Sequence, residues 1–424
     1  MTMFSRLTLN SFWLLLARIG TQAGLALFTI ILARQFGSSV FGEYTFIASL
    51  IVIGNVVTTF GTDMLLIREI AAADRLSDLF SALLIQILLS AIFIAGILIL
   101  SSHLPNLNQE SVIALRIYSF SLIPLAFFTV FTTILRGKQH MVAYSLLNLA
   151  LIILQLAAIF WLRLHGGGIV ILAILLLAVQ VIGTLVAGAL CQFQVNYSSQ
   201  PWRALLGQLW YLVKACAPIA LLGLLGILYQ RMSSILILSL SGTASTGYYS
   251  AAARVVEAAK IGHVAVFTAL YPLMAQVHAT NKPNWIEAFR FPVLLLSGGA
   301  IIASFLLSWQ AKPFISILFG PGYISSIPAL QVLAWMLIPY TINSFLSLAY
   351  LAEGEVTIIM IALMATIITL AALTVWWDPL MNIKGAAWAA LFSETLQSII
   401  LSSWYFKQHR KLIIRRPVER HCIS

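Results

Sequence analysis

Charge is scarce in this chain: 9% of its 424 residues are Asp, Glu, Lys or Arg, and only 13 of those are acidic. A soluble chain of this length would form two or three domains with about a quarter of its residues charged. Here 61% of the residues are hydrophobic and the mean hydropathy is +0.99. No soluble core could enclose that much apolar side chain, because surface grows too fast relative to volume, so the bilayer serves as solvent for much of it. Cysteine is also sparse. Cys191, Cys216 and Cys422 are scattered and odd in number, which excludes a disulfide framework and a CxxC metal site.

Chemistry-bearing motifs are missing as well. There is no GxxxxGK[ST] loop, since Gly137-Lys138 lacks both the upstream glycine and the following hydroxyl residue, and ATP hydrolysis is thereby disfavoured. None of the seven histidines sits in HExxH or similar spacing, and His103, His140, His165 and His278 fall in expected loops. The longest expected connections, Cys191 to Lys214 and Lys312 to Pro328, leave no room for the outside loop that a glycan polymerase or ligase needs for its acid, base or metal residues. The composition therefore points to transport without a cofactor, and the net charge of +11 to lipid headgroups rather than nucleic acid.

What is present is a series of apolar runs long enough to cross a bilayer, at about 20 residues each. Spans are expected near 11–33, 42–67, 79–101, 113–135, 142–162, 169–190, 216–240, 246–274, 289–311, 329–352, 356–377 and 384–406. The first is longer than a signal-peptide core and lacks a small-x-small cleavage site, so it reads as a retained helix. Positive residues set the orientation. With the amino terminus inside, the inner segments hold Arg6, Arg68, Arg75, Arg136, Lys138, Arg203, Lys214, Lys282, Arg290 and the tail residues Lys407, Arg410, Lys411, Arg415, Arg416 and Arg420. The outer segments hold only Arg34, Arg116, Arg163, Lys312 and Lys384, which predicts two cytoplasmic termini.

The chain also repeats. Phe36-Gly37-Ser38-Ser39-Val40-Phe41-Gly42-Glu43-Tyr44 aligns with Ser241-Gly242-Thr243-Ala244-Ser245-Thr246-Gly247-Tyr248-Tyr249, matching two glycines and a tyrosine 205 positions apart. Ala114-Leu115 and Leu122-Ile123-Pro124 align with Ala329-Leu330 and Leu337-Ile338-Pro339, 215 apart, and Gly137 is paired with Gly354. Six spans per half is an even number, so the halves share one orientation, as in transporters that rock about a central site. The expected fold is an all-α membrane protein of about twelve transmembrane helices in two six-helix bundles related by a parallel internal repeat. The boundaries are 1–195 for the first lobe, 196–214 for a cytoplasmic linker, 215–406 for the second lobe and 407–424 for a basic tail. Prolines 124, 218, 272, 292 and 339, within or at the ends of spans, are candidate hinges.

Ionisable side chains inside spans cost about 2.5–3.5 kcal/mol on insertion scales at a helix centre, so they face a wet cavity or a partner. Arg18, Arg231 and Arg254 are expected to point into a lumen between the halves and to attract an anionic headgroup, with Glu257 and Lys260 following at i+3 steps on the same face as Arg254. The alternative is a self-neutralising Arg254–Glu257 pair and an Arg18 that snorkels to the headgroups. Asp63 and Glu394 are candidates for a coupling ion, although the depth of Asp63 favours an interfacial partner such as Arg68.

The run Ala33-Arg34-Gln35-Phe36-Gly37 to Phe41-Gly42-Glu43-Tyr44, with Gly61-Thr62-Asp63 and Ile67-Arg68-Glu69-Ile70-Ala71, resembles the polysaccharide flippase family. These are Wzx-type lipid-linked oligosaccharide translocases of the multidrug/oligosaccharidyl-lipid/polysaccharide exporter superfamily. Leu135-Arg136-Gly137-Lys138 and Ala352-Glu353-Gly354-Glu355 are similar to that family's ends of helices four and ten, with the acidic Glu353 and Glu355 a departure from its charge pattern. The resemblance implies a bacterial inner-membrane protein that moves a polyprenyl-diphosphate-linked glycan for a surface polysaccharide such as O-antigen. It leaves room for contact with glycan polymerase machinery. The residues leave open a drug/cation antiporter of the same superfamily, a flippase for the peptidoglycan lipid precursor, and a membrane polymerase or ligase.

Overall fold

A computed structural model describes residues 3–73, 79–104, 106–191, 202–279 and 289–414. Twelve long helical segments cross the molecule. Two of the continuous stretches, 3–59 and 202–279, each contain a single glycine outside helical geometry: Gly37 at φ 76°, ψ −179° and Gly242 at φ 84°, ψ −176°. Backbone of that kind is open almost only to glycine, and nothing lies within 4 Å of where a Cβ would sit at either residue, so conformation rather than space demands glycine there. Dividing at these breaks gives α1 (3–36), α2 (38–59), α3 (Leu79–Leu100), α4 (Gln109–Gly137), α5 (Met141–His165) and α6 (Ile169–Leu190). The second bundle is α7 (202–241), α8 (243–279), α9 (Arg290–Trp309), α10 (Pro321–Glu353), α11 (Val356–Met381) and α12 (Ile383–Ile414).

All but α12 lie in stretches apolar enough to span a bilayer; α12 carries Glu394 and Gln397 and buries both. The chain is a multi-pass membrane protein with the twelve-helix, two-bundle fold. Arg75, Lys282, residues 196–201 of the expected linker, and Arg415, Arg416, Arg420 and Cys422 lie outside the described residues. From Trp202 the linker is already helical, and Lys312–Leu318 belongs to a short helix, Ala311–Leu318. The expected second span, 42–67, instead ends at Thr59, where Phe60 and Gly61 take positive φ and a separate helix, Thr62–Ala73, begins.

The repeat is visible atom by atom. Gly37 and Gly242 carry the same break, and Gly42 and Gly247 pack at the crossing of α2 with α8. A Cβ on Gly42 would lie 2.8 Å from Gly247 N, and one on Gly247 would lie 2.8 Å from the Ser38 carbonyl carbon. Small residues let membrane helices approach this closely. Ala114, Leu115 and Leu122 and their partners Ala329, Leu330 and Leu337 are all fully buried. Thr184 donates to the Pro124 carbonyl oxygen at 2.8 Å and Ser398 to that of Pro339 at 3.2 Å, so α6 and α12 anchor to the same point of their bundles. One pairing needs correction. The left-handed residue equivalent to Gly354 (φ 79°) is Gln139 (φ 59°), not Gly137, because His140 N to Leu135 O and Glu355 N to Tyr350 O are matching helix-closing bonds. This restores the 215-residue offset. Of the candidate proline hinges, Pro124 and Pro339 stand in the first turn after interruptions of α4 and α10, at Phe120–Ser121 and Ala334–Met336, and Pro292 stands in the first turn of α9, where a missing N–H is no loss; the breaks between α1 and α2 and between α7 and α8 are made by glycine.

Apolar packing differs between the two ends. At the end holding Gly37 and Gly242, hereafter the break end, one buried core joins both bundles, from Phe28, Phe41 and Ile47 to Ile237, Val255 and Leu330. Toward the end holding the termini, the core divides into Leu66–Ile70–Val130–Ile134 in the first bundle and Phe267–Met274–Phe345–Tyr350 in the second. Polar clasps add to the joined end: Arg34 donates to the Leu318 and Ile317 carbonyls, Tyr323 to that of Ala33, and Asn106 to those of Leu238 and Ser239. On one flank α2 stays against α7 farther down, with Gly61 beside Ile219 and Gly223 beside Val56.

Candidate functional site

Arg18 on α1, Arg231 on α7, and Arg254, Glu257 and Lys260 on α8 lie where the two bundles diverge. Arg231, on α7, is half-buried, and its Nε is buried with no hydrogen-bond partner. It lies within electrostatic reach of Arg254 and Glu257 on α8 and of Tyr44 on α2, in the opposite bundle. Tyr44 is in turn within reach of both arginines, so the two guanidinium groups face the interface between bundles. Arg254 Nη1 sits 2.8 Å from Glu257 Oε2, an i,i+3 pair whose side chains are 16% and 44% exposed. At that exposure solvent screens the pair, which contributes at most about 1 kcal/mol. The carboxylate therefore orients Arg254 more than it neutralises the site.

One turn farther along α8, Lys260 Nζ lies 4.3 Å from the ring centroid of Tyr340 on α10, a cation–π contact. His263 meets the same ring edge-on at 6.4 Å and keeps its buried Nε2 without a partner. Arg18, exposed on α1, lies within electrostatic reach of Tyr340 from the opposite bundle. Of the five expected residues, Arg231, Arg254 and Glu257 are thus within reach of one another and Lys260 stands over Tyr340, four cations and one carboxylate in all. Arginine suits phosphate because its planar fork offers paired hydrogen bonds to two oxygens.

The two coupling candidates lie elsewhere. Asp63, on the helix Thr62–Ala73, is 3.9 Å from Arg136 rather than paired with Arg68, and sits at the end where the core is divided. Glu394 is 2% exposed inside the second bundle, where Tyr229 donates to Oε2 and Asn343 Nδ2 to Oε1 at 3.0 Å. Ser398 completes that network by donating to Asn343 Oδ1 at 2.8 Å. On the same helices, Trp335, Ile338, Trp388 and Phe392 line an apolar groove of about 350 Å³.

Two polar residues escaped the sequence reading. Asp378, the one acid in the apolar run 356–381, lies just beyond the expected span 356–377. It is fully buried inside α11. Glu43, likewise buried, accepts from Ser111 Oγ at 2.7 Å and Asn108 Nδ2 at 3.3 Å, and so ties α2 to the amino end of α4.

The comparisons agree on the two-bundle membrane fold. An inward-facing multidrug resistance MATE family transporter of the MOP superfamily is similar at TM-score 0.77, with 14% identity over 93% of this chain and 96% of that one. The lipid II flippase MurJ, inward closed, is similar at TM-score 0.75, with 14% identity over 96% of this chain and 90% of that one. A MOP superfamily transporter from Pyrococcus furiosus gives TM-score 0.65 at 15% identity over 95% and 96%. No curated protein matches by sequence. The chain belongs to the polysaccharide biosynthesis protein family, whose sequence profile matches residues 7–278.

Proposed function

We propose that this protein is a flippase that carries polyprenyl-diphosphate-linked oligosaccharide repeat units from the cytoplasmic to the outer face of a bacterial inner membrane, by alternating access. The observation that carries this reading is the set of four cations, Arg18, Arg231, Arg254 and Lys260, with one carboxylate, Glu257, at the divergence of two bundles whose shared apolar core lies at the break end. A diphosphate-sugar head cannot enter hydrocarbon, yet a cationic cleft replaces its water while the polyprenyl tail stays among acyl chains. In this reading residues 1–195 and 215–406 are the rocking lobes, 196–214 joins them, and both termini with the basic tail 407–424 lie in the cytoplasm. The cleft then opens to the cytoplasm and the break end is the closed outer gate. The family membership and the structural likeness to MurJ support a lipid flippase. The chain acts as a transporter rather than an enzyme.

The likeness to MATE transporters keeps a drug/cation antiporter as the second reading. A cationic cleft repels such cargo, which favours the first. Replacing Arg231 and Arg254 by Ala, singly and together, and measuring surface glycan tests the site: loss of export is expected, and unchanged export removes both from it. In a strain lacking the protein, lipid-linked repeat units should accumulate on the cytoplasmic leaflet. Ordinary outward transfer there refutes the function.

A further inference from the structure

Asp378 is 0% exposed one turn before the end of α11, inside the bilayer-spanning region. A buried carboxylate is costly unless it is paired with a cation or keeps its proton. Its Oδ2 accepts from the Ser241 hydroxyl, whereas Oδ1 is buried with no partner. No charged side chain among the described residues acts on it. Of the elements packed against α11, α7 presents Ser241, and α12 carries Lys384 in its first turn, exposed at the surface. Thr374 precedes Asp378 by four residues, hence on the same helix face, and is also 0% exposed with an unpartnered hydroxyl.

The first bundle supplies an internal control. α5 and α11 both end at a residue of positive φ, Gly166 and Asn382. Aligned there, Asp378 corresponds to Leu162 and Thr374 to Ala158, both buried, and at the 205 offset Ser241 corresponds to Phe36. The fold builds this corner from Leu, Ala and Phe in one half and from Asp, Thr and Ser in the other. Packing alone does not call for an acid.

Location gives the acid a consequence. Ser241, which it holds, directly precedes Gly242, the break from which α8 runs with Arg254, Glu257 and Lys260. We infer that Asp378 is a proton-carrying carboxyl that couples the transport cycle to a transmembrane proton gradient, a role that rests on the transport reading above. The neutral acid is the form that stays buried. On ionising it yields one proton to water with no other bond changed, and the charge left behind must move toward solvent, pulling on Ser241 and the Gly242 break. A hard metal cation would gather six or more oxygens, whereas here there are one carboxylate, the Ser241 hydroxyl and the Thr374 hydroxyl one turn away.

The test uses the full-length protein in proteoliposomes with a fluorescent polyprenyl-diphosphate disaccharide as probe. Wild type should move the probe faster under a proton gradient than without one, and a sodium gradient at equal pH should add nothing. Asp378→Asn should abolish the proton stimulation while keeping slow, gradient-independent exchange, and Asp378→Glu should restore part of it. The acid-minus-alkaline infrared difference spectrum should show a protonated-carboxyl band that D378N removes. Full proton stimulation in D378N, an unchanged band, or stimulation by sodium overturns the coupling role alone. Wild-type vesicles that move no probe under any condition overturn the transport reading and the coupling role with it.

Discussion

Gly247→Ala should pry the two bundles apart at their closest backbone crossing. The added methyl carbon would run into the Ser38 carbonyl oxygen, its nearest neighbour, and lie 2.8 Å from the carbonyl carbon, where ordinary contact begins at 3.4 Å, so α2 and α8 must separate by well over 0.6 Å. The obstacle is backbone, which cannot rotate away as a side chain does. Overpacking of this kind costs about 1–3 kcal/mol, and a radial gap of about 0.5–1 Å also forfeits a quarter to a half of the dispersion well between neighbouring atoms. The Ser39–Thr243 hydroxyl contact, 2.7 Å across the same crossing, is stretched with it. A shift of about 1–3 kcal/mol moves the balance between closed and open break ends by about 5- to 150-fold. Cysteines at Ser39 and Thr243, in a background without Cys191, Cys216 and Cys422, report this as a fall in crosslinking yield. Gly42→Ala should do the same, and the double variant should cost less than the sum, because either methyl alone already separates the helices. Gly37→Ala is the contrast: its methyl meets nothing within 4 Å, so it strains the chain at φ 76° without touching the crossing. Wild-type crosslinking in G247A would refute the steric argument.

Removing the clasps tests whether the break end is a gate. Arg34→Ala with Asn106→Ala frees carbonyls of Leu318, Leu238 and Ser239, at about 0.5–1.5 kcal/mol per hydrogen bond. Hydrogen exchange should then rise around 317–323 and 238–243, and unchanged protection would show that apolar packing alone holds this end. Asn343→Ala deprives Glu394 of a donor and Ser398 of an acceptor, at about 1–3 kcal/mol. The melting temperature in detergent should fall, and a wild-type value argues that water fills the gap. Tyr340→Leu removes the ring beneath Lys260, a contact worth about 0.5–2 kcal/mol, yet leaves the charge in the cleft. Surface glycan should drop less than in Lys260→Ala, and the opposite order would place the ring rather than the ammonium on the ligand.

Element count and repeat were legible because both rest on strong signals. Apolar runs of bilayer length placed α3 and α6 at Leu79–Leu100 and Ile169–Leu190, within a residue of expectation. The paired glycines 37/242 and 42/247 could be found because only glycine serves their backbone and crossing. The end of α2 was hidden, since Phe60 carries no signal of its positive φ and the apolar run passes through it. Gly137 drew a false pairing because glycine identity was trusted over register, while the left-handed position is held by Gln139. Arg231 and Arg254 were found as charges in apolar segments. Asp378 fell just outside the expected span 356–377, whereas the helix runs on to Met381 with Pro379 inside it, where membrane neighbours tolerate a proline. No rule of spacing could reveal that Lys260 stands over Tyr340, because that contact is made between α8 and α10.

The repeat also shows where function departs from scaffold. At the 205 offset, Arg231, Arg254, Glu257 and Lys260 correspond to Ala26, Ser49, Val52 and Asn55 in the first bundle. At the 214 offset that matches Ser398 with Thr184, Glu394 corresponds to Gln180. Every one of these positions is ionisable in the second half and neutral in the first, so symmetric helices carry an asymmetric load. Rocking needs the symmetry, because two like bundles crossing at paired glycines can exchange one closed end for the other at little cost. Binding needs the asymmetry: two equally cationic walls would repel across the cleft whenever it closed empty. In the proposed transport cycle, a first wall that brings Arg18 as its cation among the described residues lets the lobes meet with or without an anion between them, and leaves the second wall to hold the ligand and the acids that would answer to its passage.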